Sequence, residues 1–244
     1  MPPLELSRAD LAEVLRHGQV EVVGRMRYSS NGAFFVRVCA NGVDIPAVYK
    51  PRRGERPLWD FPDGTLWERE VAACVLSDGL GWDVVPVTIA RTEGPLGEGA
   101  VQRFVDHNPE EHYFTLLPDN EDRFRQFAVL DILANNTDRK GGHCLHDLAN
   151  DVIVGIDHGL TFHPQWKLRT VIWDFADEPI PDALAADIER VVAELETGAL
   201  GAAMADLLSP SELAAVGIRA SELLRDGYFP APDPGYHSIP WPLV

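Results

Sequence analysis

Two side chains in the first half of this 244-residue sequence have the types and order that phosphoryl transfer requires. Lys50 ends the apolar segment 45–50, and Glu70 follows in a segment that we expect to be helical. A lysine on a strand paired with a glutamate on a helix holds the α- and β-phosphates of ATP in kinases. The chain has only 3 lysines against 18 arginines, and a compact ammonium is not interchangeable with a planar guanidinium. The alternative is a surface lysine near an unrelated glutamate.

The second half of the chain supplies the complementary set. Asp138 lies in the polar stretch 135–142, which follows an apolar helical pattern, and His143 comes shortly after it. Asp157 closes a short apolar strand. A loop carboxylate that takes the proton of a hydroxyl group, followed by metal ligands, is the base-and-metal set of phosphoryl transfer. We therefore expect Asp138 to be catalytic, and His143 and Asp157 to bind a divalent metal ion.

A short turn between two β-rich segments is the candidate phosphate loop. It consists of Ser29, Ser30, Asn31 and Gly32. Its backbone N–H groups and small side chains allow close approach to phosphate oxygens, so we expect it to cover the phosphates of ATP. The alternative is an ordinary hairpin turn.

The elements that must position these residues begin with a β-rich region. Ser7 to Asp10 is a capping box that opens a short helix, which Gly18 ends. Asn41 and Gly42 form a turn between apolar segments, so a small antiparallel sheet is expected. The predicted strands of this region are 20–24, 33–38, 45–50, 84–90 and 100–105. Between them, Thr65 to Glu68 is a second capping box, which opens the helix that carries Glu70.

The character of the sequence changes after residue 105. Helical spacing covers 123–135, a strand is expected over 151–157, and three helices follow over 182–224. Ser209 and Pro210 mark the start of the last helix. The final fifteen residues contain five prolines, which predicts an extended tail that folds back on the helical region. The alternative is a tail that docks a partner.

Four motifs carry a family resemblance. They are 29–36 (SSNGAFFV), 69–73 (REVAA), 136–139 (NTDR) and 156–162 (IDHGLTF). With them the sequence resembles the phosphatidylinositol 3-/4-kinase-like superfamily, especially its type II phosphatidylinositol 4-kinase branch and the bacterial relatives that include HipA-like protein kinases. The whole chain looks like an actinobacterial family distantly related to these lipid kinases.

This resemblance implies an α+β, two-lobed, protein-kinase-like fold with a β-rich N-lobe and a mainly helical C-lobe. It implies that 1–105 is the N-lobe, 106–229 is the C-lobe and 230–244 is a proline-rich tail. It supports the roles given above to the phosphate loop, Lys50, Glu70, Asp138 and the metal ligands. It also places the adenine of ATP against a hinge that includes Gln102, Arg103, Phe104 and Val105.

Two positions depart from the family pattern. Relatives have Asn as a metal ligand where this chain has His143, and they commonly have Asn where it has His158. Imidazole suits Mn²⁺ or Zn²⁺ better than Mg²⁺, which prefers oxygen ligands. The metal can therefore be Mg²⁺ or Mn²⁺. A zinc site that uses His143, His146 and His158 is a further alternative.

The charge distribution limits the choice of partners. The chain has 21 basic and 38 acidic residues, for a formal net charge of −17. Residues 1–105 contain 12 basic and 14 acidic residues, whereas residues 106–244 contain 9 basic and 24 acidic residues. Nucleic acids and anionic membranes need a basic surface, so neither is expected as a partner. An acidic acceptor lobe favours a neutral or basic acceptor over a phosphoinositide.

The sequence also predicts the compartment. Cys39, Cys74 and Cys144 are far apart and form no CxxC pair, which suits a reducing environment. The N-terminus lacks the pattern of a signal peptide, and no apolar run approaches the ~20 residues that span a bilayer. We expect a cytoplasmic protein without stable membrane association.

These observations together predict a kinase that uses ATP and Mg²⁺ or Mn²⁺ to phosphorylate a hydroxyl group on a protein or a small soluble molecule. Three alternatives share the fold. They are a nucleotide-binding pseudokinase that recruits a partner, a phosphoinositide kinase, and an enzyme that transfers AMP.

Overall fold

The computed structural model describes residues 6–26 and 31–244. They form seven helices and seven strands within these ranges, so the prediction of an α+β fold is confirmed. The helices are α1 (Arg8–His17), α2 (Leu66–Leu80), α3 (Tyr113–Leu116), α4 (Glu121–Ala134), α5 (Asp182–Thr197), α6 (Ala199–Ala205) and α7 (Pro210–Asp226). The strands are β1 (Gln19–Arg25), β2 (Phe34–Ala40), β3 (Val43–Pro51), β4 (Thr88–Arg91), β5 (Gly99–Arg103), β6 (Cys144–Asp147) and β7 (Val152–Gly155).

The chain divides into two compact units. Unit 1 comprises Met1–Val71 and Pro86–Phe104, and unit 2 comprises Ala72–Val85 and Val105–Val244. Helix α2 therefore begins in unit 1 and ends in unit 2. Within the described ranges, no helix is both long enough and apolar enough to cross a bilayer.

Unit 1 is built on an antiparallel sheet of five strands in the order β1-β2-β3-β5-β4. Asn41 and Gly42 both have positive φ, and Ala40 pairs with Val43, so the predicted hairpin turn is present. Alternate side chains of the sheet pack with α1 around the fully buried Leu15. The Ser7 hydroxyl accepts a hydrogen bond from the Asp10 N–H and caps α1 as predicted.

Unit 2 is mainly helical, and helix α4 is packed into its core. Nine residues of α4 are buried, and all of them except Asp131 belong to this hydrophobic core. The last part of α2 belongs to this core, as do α5, α6 and α7. Ser209 and Glu212 cap α7 reciprocally, with Pro210 in its first turn, as the sequence indicated.

Three of the predicted strands are shorter in the structure. Strand β4 begins at Thr88 instead of residue 84, because Val84 and Val85 belong to unit 2, where the Val84 carbonyl accepts from the Gly155 N–H. Strands β5 and β7 are likewise shorter than predicted, whereas β1, β2 and β3 are longer. Pro86 has no N–H group to donate to the hydrogen bonds of a sheet, and it separates Val84 and Val85 from strand β4.

Candidate active site

Strand β3 and helix α2 bring Lys50 and Glu70 together in unit 1. Lys50 lies near the end of β3, opposite Ala100 of β5. Its ammonium nitrogen forms an ion pair with Glu70 Oε1, and the Glu70 side chain is only 3% exposed. A carboxylate buried this far requires a cationic partner. The Lys50 side chain remains 21% exposed, so it retains access for a second ligand.

The start of α2 is held by a side chain that the sequence did not single out. The Glu55 carboxylate accepts hydrogen bonds from the Leu66 N–H at 3.1 Å and the Trp67 N–H at 2.8 Å. Burial raises the pKa of Glu55, and these two amide bonds oppose the rise. The Thr65 hydroxyl instead donates to a backbone carbonyl and accepts from the Arg69 guanidinium at 3.0 Å. Glu55 thus satisfies two of the free N–H groups in the first turn of α2, those of Leu66 and Trp67.

The candidate phosphate loop is described in part. Ser29 and Ser30 lie outside the described residues. Asn31 Oδ1 accepts from the Arg56 N–H at 3.1 Å, and the Gly32 N–H donates to the Gly54 carbonyl at 2.7 Å. A Cβ on Gly32 would lie 3.0 Å from the Gly54 Cα, so the two backbones are in close contact. Gly32 is therefore required for packing against another loop, whatever else it contacts.

The predicted hinge falls at the division between the units. In unit 1, Gln102 is buried on β5 and donates from Nε2 to the Thr88 hydroxyl at 2.8 Å. The Phe104 ring packs edge-on against Phe35, with centroids 5.1 Å apart. In unit 2, the buried Val105 belongs to a small apolar cluster beside β6 and β7. The side chains of Gln102 and Phe104 thus have structural partners in unit 1.

In unit 2, helix α4 delivers the chain to the loop that carries Asp138. The helix ends at Asn135, which adopts a left-handed conformation with φ 48°. The Asn135 amide donates to the carbonyls of His163 and Gln165 at 2.7 and 2.6 Å, and its oxygen accepts from the Lys167 N–H at 2.9 Å. Asparagine tolerates this conformation better than most residues. Asn135 therefore joins the end of α4 to segment 163–167.

A buried ion pair organises the rest of the loop. The guanidinium of Arg139 contacts both carboxylate oxygens of Asp131, at 2.9 to 3.1 Å, and both side chains are at most 1% exposed. Arg139 also donates to the Ile156 carbonyl at 3.0 Å and contacts His158 Nε2 at 2.7 Å. Asn136 donates to Asp131 at 2.9 Å. The pair thus ties α4 to the residues on each side of Asp157.

The sequence interpretation missed this function of Asp131 and Arg139. Asp131 lies within the helical spacing 123–135 and Arg139 within the motif 136–139, and neither pattern predicts that the two side chains pair. The available signal was a single carboxylate inside the otherwise apolar run 127–134. A charge in such a run requires a buried partner of opposite sign.

Asp138 has a cationic neighbour. Its Oδ2 lies 2.8 Å from the Lys140 ammonium nitrogen, and its backbone N–H donates to the Asn136 side chain at 3.0 Å. Burial raises the pKa of Asp138; the hydrogen bond and charge of Lys140 lower it, and the negative charge of Asp157 adds to the rise. The net result is a carboxyl group that holds a proton more readily than an ordinary aspartate.

The predicted metal ligands are brought together. His143 Nε2 lies 3.6 Å from Asp157 Oδ2, and Asp157 has a left-handed backbone with φ 62°. The Ile156 N–H donates to the His143 carbonyl at 3.0 Å, which fixes the loop against the end of β7. In the part of the chain that the structure describes, no three His, Cys, Asp or Glu side chains gather into a metal-binding cluster. Of the described His, Cys, Asp and Glu side chains, two face each other at this point, His143 and Asp157.

The other two histidines considered for a zinc site have different partners. His146 contacts Asp151 at 2.8 Å and Glu111 at 3.2 Å. His158 is fully buried, and its Nε2 accepts from Arg139, because a guanidinium can only donate. His158 thus stabilises the buried ion pair, and the structure does not bring the three histidines together as ligands.

The C-terminal segment lies against the loop of Asp138. The Gly141 N–H donates to the Leu243 carbonyl at 2.6 Å. A Cβ on Gly141 would lie 3.1 Å from that oxygen and 3.1 Å from the Phe114 ring. The Ser238 carbonyl accepts from the Thr170 N–H and from the indole N–H of Trp173, both at 3.0 Å. The tail thus folds back on unit 2, as predicted.

Comparison with solved structures identifies the fold. A Golgi casein kinase solved with Mn/ADP bound matches 89% of the chain, and 74% of its own length, with a TM-score of 0.56 and 13% identity. A hydra Fam20 solved with sugar matches 90% of the chain and 87% of its own length, with a TM-score of 0.55 and 13% identity. The Helicobacter pylori proinflammatory kinase CtkA matches 88% of the chain and 94% of its own length, with a TM-score of 0.52 and 12% identity. The predicted two-lobed, kinase-like fold is therefore confirmed.

Sequence comparison identifies the family. No family model matches the chain. A curated protein of Mycobacterium tuberculosis, Rv2133c, is 37% identical over a 270-residue alignment that covers 96% of each protein. Identity at this level over nearly the whole of both chains means that the protein belongs to the same family as Rv2133c of Mycobacterium tuberculosis.

Proposed function

We propose that this protein is a phosphotransferase that uses ATP and a divalent metal ion to phosphorylate a hydroxyl group. The observation that carries the proposal is the ion pair between Lys50 on a strand and the buried Glu70 on a helix, within a kinase-like fold. In kinases, a helix glutamate that pairs with a strand lysine orients that lysine toward the phosphates of ATP, and the buried Glu70 is suited to this role. In the proposed division, residues 1–105 bind the nucleotide phosphates and 106–229 carry the catalytic and metal-binding groups.

Unit 1 is proposed to hold ATP. Lys50 contacts the phosphates while Glu70 keeps its ammonium group in place, and the turn 29–32 covers them through backbone N–H groups. The adenine is assigned to the segment that includes Gln102, Phe104 and Val105. The buried amide of Gln102 already bonds to Thr88, so adenine contacts along β5 are assigned to the backbone of this segment.

Unit 2 is proposed to supply the acid–base chemistry. The Asp138 carboxylate accepts a hydrogen bond from the acceptor hydroxyl and takes its proton as the hydroxyl oxygen bonds to the γ-phosphorus. The bond between that phosphorus and the bridging oxygen to the β-phosphate breaks, and ADP leaves with the electron pair. The raised pKa of Asp138 suits a group that must accept a proton and later release it.

His143 and Asp157 are proposed to hold the divalent metal ion. Their facing donor atoms, one imidazole nitrogen and one carboxylate oxygen, suit Mn²⁺ and are compatible with Mg²⁺ if phosphate oxygens complete the shell. Such an ion neutralises charge on the phosphates when it is bound. The Golgi casein kinase, whose fold is similar to that of this chain, was solved with Mn/ADP bound, which supports this assignment.

For the acceptor we favour a hydroxyl on a protein or a small soluble molecule. The formal charge of residues 106–244 is strongly negative, since they contain 24 acidic and 9 basic residues. A phosphoinositide head group would be repelled by such a surface. Transfer of AMP on the same fold is distinguished by the mass added to the product. The second candidate is a nucleotide-binding pseudokinase, favoured because no third described His, Cys, Asp or Glu side chain joins His143 and Asp157 in a cluster.

The test is nucleotide binding followed by turnover. Thermal-shift titrations with ATP and Mg²⁺ or Mn²⁺ should stabilise the unmodified chain, and Lys50→Ala and Asp157→Ala should weaken that response. Phosphate release or labelled transfer should be lost in Asp138→Ala, while its nucleotide binding persists. No ATP response with either metal contradicts the proposal, and binding without turnover under any metal favours the pseudokinase.

A further inference from the structure

A cavity lies within unit 2, on helix α7 and the segment that follows it. Its volume is about 480 Å³, within the range of small-molecule sites, which are ~300 to 1,000 Å³. Ile132, Leu223 and Phe229 give it a buried apolar wall. Trp166 and Tyr228 line it as well, and they are 46% and 56% exposed. Of the described residues that line this cavity, none belongs to the proposed catalytic or metal-binding set.

Arg219 of α7 gives this cavity a buried cation. Its residue surface is 6% exposed, its Nε donates to the Leu133 carbonyl at 2.8 Å, and one terminal nitrogen reaches the His163 carbonyl at 3.4 Å. In the ranges that the structure describes, its other terminal nitrogen is buried and has no hydrogen-bond partner. An unsatisfied buried donor is costly, and such atoms in native proteins usually meet a water, an ion or a ligand.

The same cavity also carries negative charge. Glu222 lies one helical turn beyond Arg219, and Asp177 and Asp226 complete the acidic set. All three carboxylates belong to exposed residues, so they form the outer part of the cavity. Asp226 is partly neutralised by Arg225, whose Nε lies 2.9 Å away. A simple anion would meet repulsion from these groups, whereas a simple cation would leave the Arg219 donor unsatisfied.

We propose that this cavity binds a small zwitterion, an α-amino acid with an apolar side chain. Its carboxylate accepts from Arg219, its ammonium group faces Glu222, and its side chain packs on Trp166 and Tyr228. The carboxylate and the ammonium group of the ligand match the positive and the negative groups of the cavity, and the apolar wall accommodates the apolar side chain of the ligand. This site is separate from the proposed function and does not depend on it.

The experiment uses the full chain without nucleotide. Calorimetric titration with L-leucine should show saturable binding and should raise the thermal transition. Two analogues of leucine test its charged groups separately: 4-methylpentanoate lacks the amine, and 3-methylbutylamine lacks the carboxylate. Each should bind at least tenfold more weakly than leucine, and glycine should also bind at least tenfold more weakly because it has no apolar side chain.

Variants then assign the contacts. Glu222→Gln should weaken leucine binding at least fivefold and leave the binding of 4-methylpentanoate unchanged or stronger. Glu189→Gln, an exposed glutamate of α5 outside the cavity, is the matched control and should change neither. Arg219→Met should abolish binding. Because Arg219 also holds the Leu133 carbonyl, Tyr228→Ala on the exposed side provides a second variant that keeps this bond, and it should weaken leucine binding.

Three results overturn the proposal. They are the absence of saturable binding to a chain with a normal thermal transition, binding of the amine or of the carboxylate analogue as tight as that of leucine, and equal effects of Glu222→Gln and Glu189→Gln.

Discussion

The ammonium nitrogen of Lys140 lies 2.8 Å from Oδ2 of Asp138. The two side chains are 22% and 29% exposed, so the pair is partly shielded from water and close to the surface. Lys140 opposes the rise in the pKa of Asp138 that burial causes. The lysine thus sets how readily the proposed base loses its proton.

Replacement of Lys140 should shift the pH dependence of turnover. Asp138 acts as a base only when deprotonated, so activity falls as the pH drops through its pKa. In Lys140→Met that pKa rises further, because the group that lowers it is gone, and the acid limb of the pH–rate profile should move to higher pH. Lys167→Met, the other lysine of unit 2, is the control. An acid limb that stays in place would contradict the assignment of Asp138.

Removal of the Glu70 charge should slow phosphoryl transfer by about 100-fold, because a misplaced Lys50 loses its alignment with the phosphates. We expect Glu70→Gln to remain folded, with unfolding free energy lowered by about 1 to 3 kcal/mol. Steady-state kinetics and urea titration measure the two effects. Glu68→Gln on the same helix should leave the rate within about twofold, as expected for a change away from the site. Similar losses in both variants would show that the Lys50 contact is not the cause.

The buried ion pair should dominate the stability of unit 2. Asp131→Asn leaves Arg139 without its full negative partner and should lower the unfolding free energy by about 3 to 5 kcal/mol. Asp122→Asn, on the exposed face of the same helix, should change it by less than about 0.5 kcal/mol. Chemical denaturation measures both. A small effect of Asp131→Asn would mean that the protein does not depend on this pair for its fold.

Two adjacent glycines should respond differently to alanine. In Gly141→Ala the new Cβ lies 3.1 Å from the Leu243 carbonyl and from the Phe114 ring, so the tail must shift. In Gly142→Ala the nearest atom, on Val244, is 3.6 Å away, an ordinary contact. Limited proteolysis should therefore cut the C-terminal segment of Gly141→Ala faster, with Gly142→Ala matching the unmodified chain. Equal rates in the three proteins would argue against this docking.

The metal preference should depend on position 143. His143→Asn replaces an imidazole with an amide oxygen, which should lower the ratio of Mn²⁺- to Mg²⁺-supported activity. Activity titrated against each metal measures the ratio. His146→Asn is the control, since His146 contacts Asp151 and Glu111. An unchanged ratio in His143→Asn would exclude His143 as a ligand.

Local signals predicted part of this structure well. The Ser7 cap, the Asn41–Gly42 turn and the Ser209 cap depend on residues within a few positions of one another, and each is present. The pairing of Lys50 with Glu70 was also predicted, because the order of strand and helix brings them together.

Long-range contacts were beyond the local patterns. Glu55 reaches α2 across eleven and twelve positions and accepts hydrogen bonds from two N–H groups of its first turn. Arg139 finds Asp131 only because α4 and the following loop fold on each other. Neither has a spacing rule, since the partner of a buried charge is chosen by tertiary packing.

Helix α2 has a consequence for how the protein can be divided. Its residues Ala72, Leu76 and Leu80 are buried in a core whose other members include Phe124, Leu130 and Val216. A fragment that ended at residue 105 would carry the first group without the second, leaving apolar side chains exposed to water. We expect such a fragment to aggregate when expressed alone. A fragment that began at residue 106 would lack the same three side chains from its core, so neither half of the chain can be studied by simple truncation.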